Sequence, residues 1–93
     1  MKWTVSGKSV SEEGSTIFYW NDESAAVTIE SRKKHIPHAN GVGTWDHTEY
    51  YVISDNGRWL TETEKHTLKA AKAYAEELIR KAKEDKHEFY RGL

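Results

Sequence analysis

A chain of 93 residues with a formal net charge of -1 is one small domain. It lacks the overall positive field that draws proteins to nucleic acid or acidic membranes. Cysteine is absent, which excludes disulfides, thiolate nucleophiles and cysteine-based zinc sites. Only 37% of residues are apolar and 31% are charged, yet four Trp, five Tyr and two Phe supply the bulk for one modest core and argue against a disordered chain.

No window approaches the run of about 18 apolar residues that a membrane span needs. The opening MKWTVSGKSV has no continuous apolar stretch, so neither a signal peptide nor a membrane partner is expected. The expectation is a soluble, cytoplasmic, single domain over 1–93 without a cofactor.

Residues 2–6 alternate, with Trp3 and Val5 on one side and Lys2 and Thr4 on the other, and predict a short strand stopping at Gly7. A polar loop carries Glu12-Glu13-Gly14. Residues 16–20, TIFYW, are the densest β-forming cluster. Turn residues Asn21 to Ser24 follow, and 25–31 alternates again with Val27 and Ile29 inward. Residues 32–44, RKKHIPHANGVGT, contain the single proline and two glycines and read as an irregular exposed loop. A strand over 47–54 centres on Tyr50-Tyr51-Val52-Ile53. Asp55-Asn56-Gly57 predicts a tight hairpin, with a returning strand over 58–63. Residues 61–66 fit two readings, a Thr61-x-x-Glu64 capping box that starts the helix early or TETEK as an exposed edge of the strand, and the second is favoured.

The most regular stretch is the predicted helix over 67–86. Leu68, Ala71, Ala75, Leu78, Ile79 and Ala82 recur at spacings of three and four and make one apolar stripe. Thr67 is its expected N-cap. Alanine in that stripe suits close packing on a sheet. The expected fold is therefore α+β, an antiparallel sheet of four to five strands packed against one long C-terminal helix. Phe89 and Tyr90 in the tail are candidates to tuck onto that sheet.

Candidate sites are sparse. His35, His38 and the Asp46-His47 pair contain donors for zinc, but their spacing fits no zinc signature, and no metal is expected. No Gly-x-Ser-x-Gly elbow, His-Glu-x-x-His or phosphate-cradling glycine loop occurs, so no catalytic residue is assigned and no enzyme is expected. Arg32, Lys33 and Lys34 form a compact cation cluster that His35, His38 and Arg58 could join. Trp20, Trp45, Trp59 and Tyr19 could offer stacking faces beside it. An exposed Trp beside Tyr and Arg also has the composition of a protein-binding hot spot. The expected binding residues are Arg32, Lys33, Lys34, His35, His38, Trp45 and Arg58. Their expected partner is another protein, with nucleic acid as the alternative.

The segments GTWDHTEYYVISDNGRWL and TLKAAKAYAEEL resemble a pattern in small proteins of phages and integrated elements, where a tryptophan-bearing strand pair leads into such a helix. They also resemble the three-strands-then-helix module of AP2 and integrase arm-type DNA-binding domains. That second likeness implies a sheet face as the binding surface. Those DNA readers carry many arginines on the sheet, whereas these strands hold Asp46, Glu49, Asp55, Glu62 and Glu64. The resemblance therefore implies the fold and a phage or prophage origin more than DNA binding.

Overall fold

Alternating aromatic and β-branched residues produce five strands, and the alanine-striped segment produces one helix, in a computed structural model that describes residues 1–84. The strands are β1 (Trp3–Ser11), β2 (Gly14–Asn21), β3 (Val27–Pro37), β4 (Thr44–Asp55) and β5 (Leu60–Lys65), followed by α1 (Leu68–Glu84). Each strand pairs antiparallel with the next, giving a meander of order β1-β2-β3-β4-β5. This is the expected α+β sheet with a C-terminal helix. The expected helix end at 86, and the tail aromatics Phe89 and Tyr90, lie outside the described residues.

Register fixes two faces. Opposed residues in an antiparallel pair point the same way, and successive residues point opposite ways. The rows Tyr19↔Ile29↔Val52↔Thr63 and Ile17↔Ser31↔Tyr50↔Lys65 lie under the helix side. Phe18↔Glu30↔Tyr51↔Glu64 and Thr16↔Arg32↔Glu49 lie on the other.

The core sits between α1 and the first of these faces. Val27, Ile29, Val52, Ala71, Ala75 and Ile79 are buried, with Trp3, Tyr19, Tyr50, Leu68, Tyr74 and Leu78 packed around them. Ala71 and Ala75 present only a methyl group, which lets the helix settle directly on Val27, Ile29 and Val52. Lys65 stacks on the Tyr74 ring at 4.3 Å on one flank. On the other flank the Trp3 indole N–H donates to Glu76 at 3.1 Å. The helix begins where its cap requires, with the Thr67 hydroxyl accepting from the Ala70 N–H at 3.0 Å.

Several boundaries differ from the sequence reading. The first strand does not stop at Gly7. Its register shifts between Val5 and Gly7, where Ser6 is an extra residue whose hydroxyl donates to the Phe18 carbonyl, and pairing resumes as far as Ser11. The region 32–44 is not one loop, because β3 continues to Pro37, opposite β4 from Thr44. Proline is tolerated there because the ladder with β2 ends at Lys34, which leaves β3 an edge strand at Pro37, and the remaining loop is 38–43. The β4–β5 connection also runs longer than a two-residue hairpin. The Asn56 carboxamide oxygen accepts from the N–H groups of Arg58 and Trp59, so Arg58 and Trp59 belong to the turn and the strand starts at Leu60. Only Gly57 takes a positive φ there. At β2–β3 the Asn21 side chain binds the backbone of Glu23, Ser24 and Val27, which closes the turn without a glycine.

Candidate functional site

Strand alternation divides the cation cluster. Arg32 and Lys34 point to the face away from the helix, while Lys33 and His35 point to the helix side. Each meets a carboxylate supplied by a neighbouring residue in the sheet. Arg32 reaches Glu30 and Glu62, both at 2.9 Å, and lies 4.0 Å over the Tyr51 ring. Lys34 is 3.7 Å from Glu49, and Lys33 is 3.4 Å from Asp46. His35 hydrogen-bonds Asp46 at 2.6 Å, and His47 is 3.3 Å from Glu49.

Arg58 lies in the β4–β5 turn, beyond the far end of β4 from the 38–43 loop that carries His38. With about 3.3 Å of rise per residue along β4, the two are separated by most of the sheet's length. Of the seven expected binding residues, Arg32, Lys34 and Trp45 share one face, Lys33 and His35 share the other, and His38 and Arg58 sit at opposite ends. Among the described residues no group of three or more His, Asp or Glu side chains converges to hold a metal ion. No helix among them is long and apolar enough to cross a membrane.

What the topology does assemble is the face that α1 leaves bare. Its apolar members are Phe18 and Trp20 on β2, Ile36 on β3, Trp45, Tyr51 and Ile53 on β4, and Leu60 on β5. Trp20 is 59% exposed, Leu60 66% and Trp45 45%. Trp45 stands edge-on to His47 at 5.9 Å. On β3, β4 and β5 this face carries Glu30, Glu49, Asp55, Glu62 and Glu64 against Arg32 and Lys34. It is an aromatic surface with an acidic balance.

The hydrogen bond between Tyr51 and Glu49 on this face shifts their two ionisations in opposite directions. The Tyr51 hydroxyl donates to Glu49; this holds the Glu49 carboxyl below its ordinary range and raises the Tyr51 phenol. On the opposite face the His35 ring, and then Lys33, hold Asp46 down. Asp22 is lowered by the Lys2 backbone N–H, and Glu77 by Arg80. A carboxylate depressed in the folded state contributes stability that is complete above its unfolded pKa and disappears as pH falls through the folded value. Melting temperature is therefore expected to fall steadily as pH drops below about 4. Asp46→Asn is expected to flatten part of that acid limb. A melting temperature independent of pH down to about 2 would contradict these assignments.

Sequence reasoning missed Phe18, Tyr51, Ile53 and Leu60 as members of this bare face, the first three half-buried and Leu60 exposed. Their alternation with Tyr19, Val52 and Thr61 was visible, but which phase faces the helix depends on the whole register. Comparison with protein families, characterised proteins and solved structures finds no match to this chain.

Proposed function

We propose that this chain is a small non-enzymatic accessory protein that acts through protein–protein contacts made by its bare sheet face. The observation that carries this reading is that Trp20, Phe18, Tyr51, Ile53 and Leu60 lie on a face whose β3–β5 strands hold five carboxylates and two cations. Exposed aromatic residues with a nearby Arg are the usual anchors of protein recognition. The acidic balance selects a partner surface that carries Lys or Arg beside apolar groups.

Nucleic-acid binding is the weaker reading for a stated reason. Arg32 and Lys34 are already engaged by Glu30, Glu62 and Glu49. A phosphate backbone would have to displace those carboxylates and then face them. A phage-related origin agrees with the small size and the strand-pair-then-helix pattern, and it remains part of the proposal.

Photo-crosslinking tests the reading. A photoreactive residue at position 20 should yield discrete protein adducts in an extract of the source cells, and one at position 70, exposed on the far flank of α1, should not. The position-20 adducts should fade when Glu62→Lys and Glu64→Lys are combined with the label. Adducts of equal strength at both positions, or crosslinks to nucleic acid at position 20, would overturn it.

A further inference from the structure

Among the described residues the helix side of the sheet is only partly covered. The α1 backbone comes close to β3, β4 and β5 and not to β1 or β2. Neighbouring strands lie about 4.8 Å apart, so five strands span about 19 Å between the outer two. A helix with its side chains is about 10 Å across. Among the described residues one helix thus roofs about half of this face and leaves a strip above β1 and β2, closed at one end where Trp3 reaches Glu76.

That strip is lined for contact. On the sheet side it presents Val5, Ile17 and Tyr19, with Val5 61% exposed. The adjoining flank of α1 presents Leu68, Lys69, Lys72 and Glu76, a flank turned toward β1 as the Trp3–Glu76 hydrogen bond shows. Beyond Leu68 the strip opens into a depression of about 300 Å³ whose walls include Lys8, Ile17 and Tyr50. Glu76 is engaged by Trp3. Lys8, Lys69 and Lys72 make no ion pair among the described residues. An apolar floor with unpaired lysines along its rim contrasts with the opposite face, where acids prevail.

We infer that this strip is a second docking site, which accepts an amphipathic helix with acidic flanks from a partner protein. The apolar stripe of such a helix covers Val5, Ile17, Tyr19 and Leu68, as in other helix-in-groove recognition. Its Glu or Asp residues meet Lys8, Lys69 and Lys72. Width and charge both select this occupant: a basic helix would crowd three lysines, and a nucleic acid would leave the apolar floor uncovered. The site is independent of the bare sheet face and stands if that reading fails.

The test is a titration of isotope-labelled full-length protein, followed by amide chemical shifts. Its probes are a peptide of about 14 residues with a Leu/Ala stripe flanked by Glu, the same peptide with Lys for Glu, and a short single-stranded oligonucleotide. The Glu peptide is expected to shift Val5, Ile17, Tyr19, Leu68 and Lys72, and to bind about tenfold tighter than the Lys peptide. Lys69→Glu with Lys72→Glu should reverse that preference while leaving the melting temperature in place. Val5→Asp should weaken the Glu peptide through the floor rather than the rim. Equal binding of both peptides, no shifts in this strip, or stronger shifts there with the oligonucleotide would overturn the proposal. Concentration-dependent shifts of the same residues without any peptide would also overturn it, by identifying a second copy of the chain as the occupant.

Discussion

Ile29→Ala is expected to destabilise the fold by about 2–5 kcal/mol, the range for removing a large aliphatic side chain from a packed core. Ile29 is fully buried, opposite Val52 on β4 and beneath the Ala71–Ala75 stripe. The surrounding groups cannot easily close the gap. The helix residues above it are alanines with no side-chain atoms to extend, and the sheet is held by its own hydrogen bonds. Among the described residues six apolar side chains are buried in the core, so this loss is a large fraction of the about 5–15 kcal/mol typical of a whole domain. Thermal and denaturant melts should show a midpoint lower by at least about 10 °C. Val5→Ala and Val10→Ala, at exposed positions on β1, should change it little. A midpoint unchanged in Ile29→Ala would mean that the helix does not pack where it is placed.

Gly14→Ala is expected to act as strongly by a different route. Gly14 is buried where the β1–β2 hairpin closes against β3. A Cβ there would lie 1.9 Å from the Lys33 carbonyl oxygen and 2.9 Å from its carbon. Both are backbone atoms of a central strand, so neither can rotate aside. The hairpin end must move off β3, which breaks the Gly14–Lys34 pairing and the 2.9 Å bond from the His35 N–H to the Glu13 carbonyl. A cost of about 3 kcal/mol is expected for overpacking of this kind. Hydrogen exchange separates it from general unfolding. Protection should fall first at Ser15, Lys34 and His35, and persist at Ile29 and Val52. Uniform loss of protection would contradict a local displacement.

The residues that revealed the fold were those with a strong local signal. The three-and-four spacing from Leu68 to Ile79 marked the helix and its buried stripe, and Thr67 marked its start. TETEK, whose polarity fitted an exposed edge and whose Thr61-x-x-Glu64 spacing equally fitted a helix cap, lies on the edge strand β5. Where the sequence misled, a local signal was overridden by pairing across strands. Gly7 suggested a strand end, but an extra residue at Ser6 absorbs the irregularity and the ladder resumes. Arg32 to Pro37 suggested a loop because charge and proline are poor β-formers. These residues hold their strand because β4 supplies Asp46 and Glu49 directly across from them or diagonally, where they neutralise that charge. The same pairing split the consecutive cations onto opposite faces. Adjacency in sequence suggested a cluster, whereas the period-two geometry of a strand separates neighbours by the thickness of the sheet.

The glycine at position 14 carried no readable signal, since its constraint comes from a strand about 20 residues away. Nor could the bare face be recognised from composition. Phe18, Tyr51 and Ile53 have the chemistry of core residues, and among the described residues the single helix, seated on the other side, leaves them half-buried beside the exposed Trp20.

The most direct test of recognition by that face is an amide chemical-shift titration of the labelled protein. Its two probes are a Lys/Leu-containing basic peptide and a short single-stranded oligonucleotide, compared at low and moderate salt. Recognition of a basic protein surface predicts that the peptide shifts Phe18, Trp20, Tyr51, Ile53 and Glu64. Those shifts should weaken in Glu62→Lys with Glu64→Lys, and the oligonucleotide should leave the face unmoved. Salt-sensitive oligonucleotide shifts centred on Arg32 and Lys34, with no response to the peptide, would contradict it and establish nucleic acid as the ligand of the face.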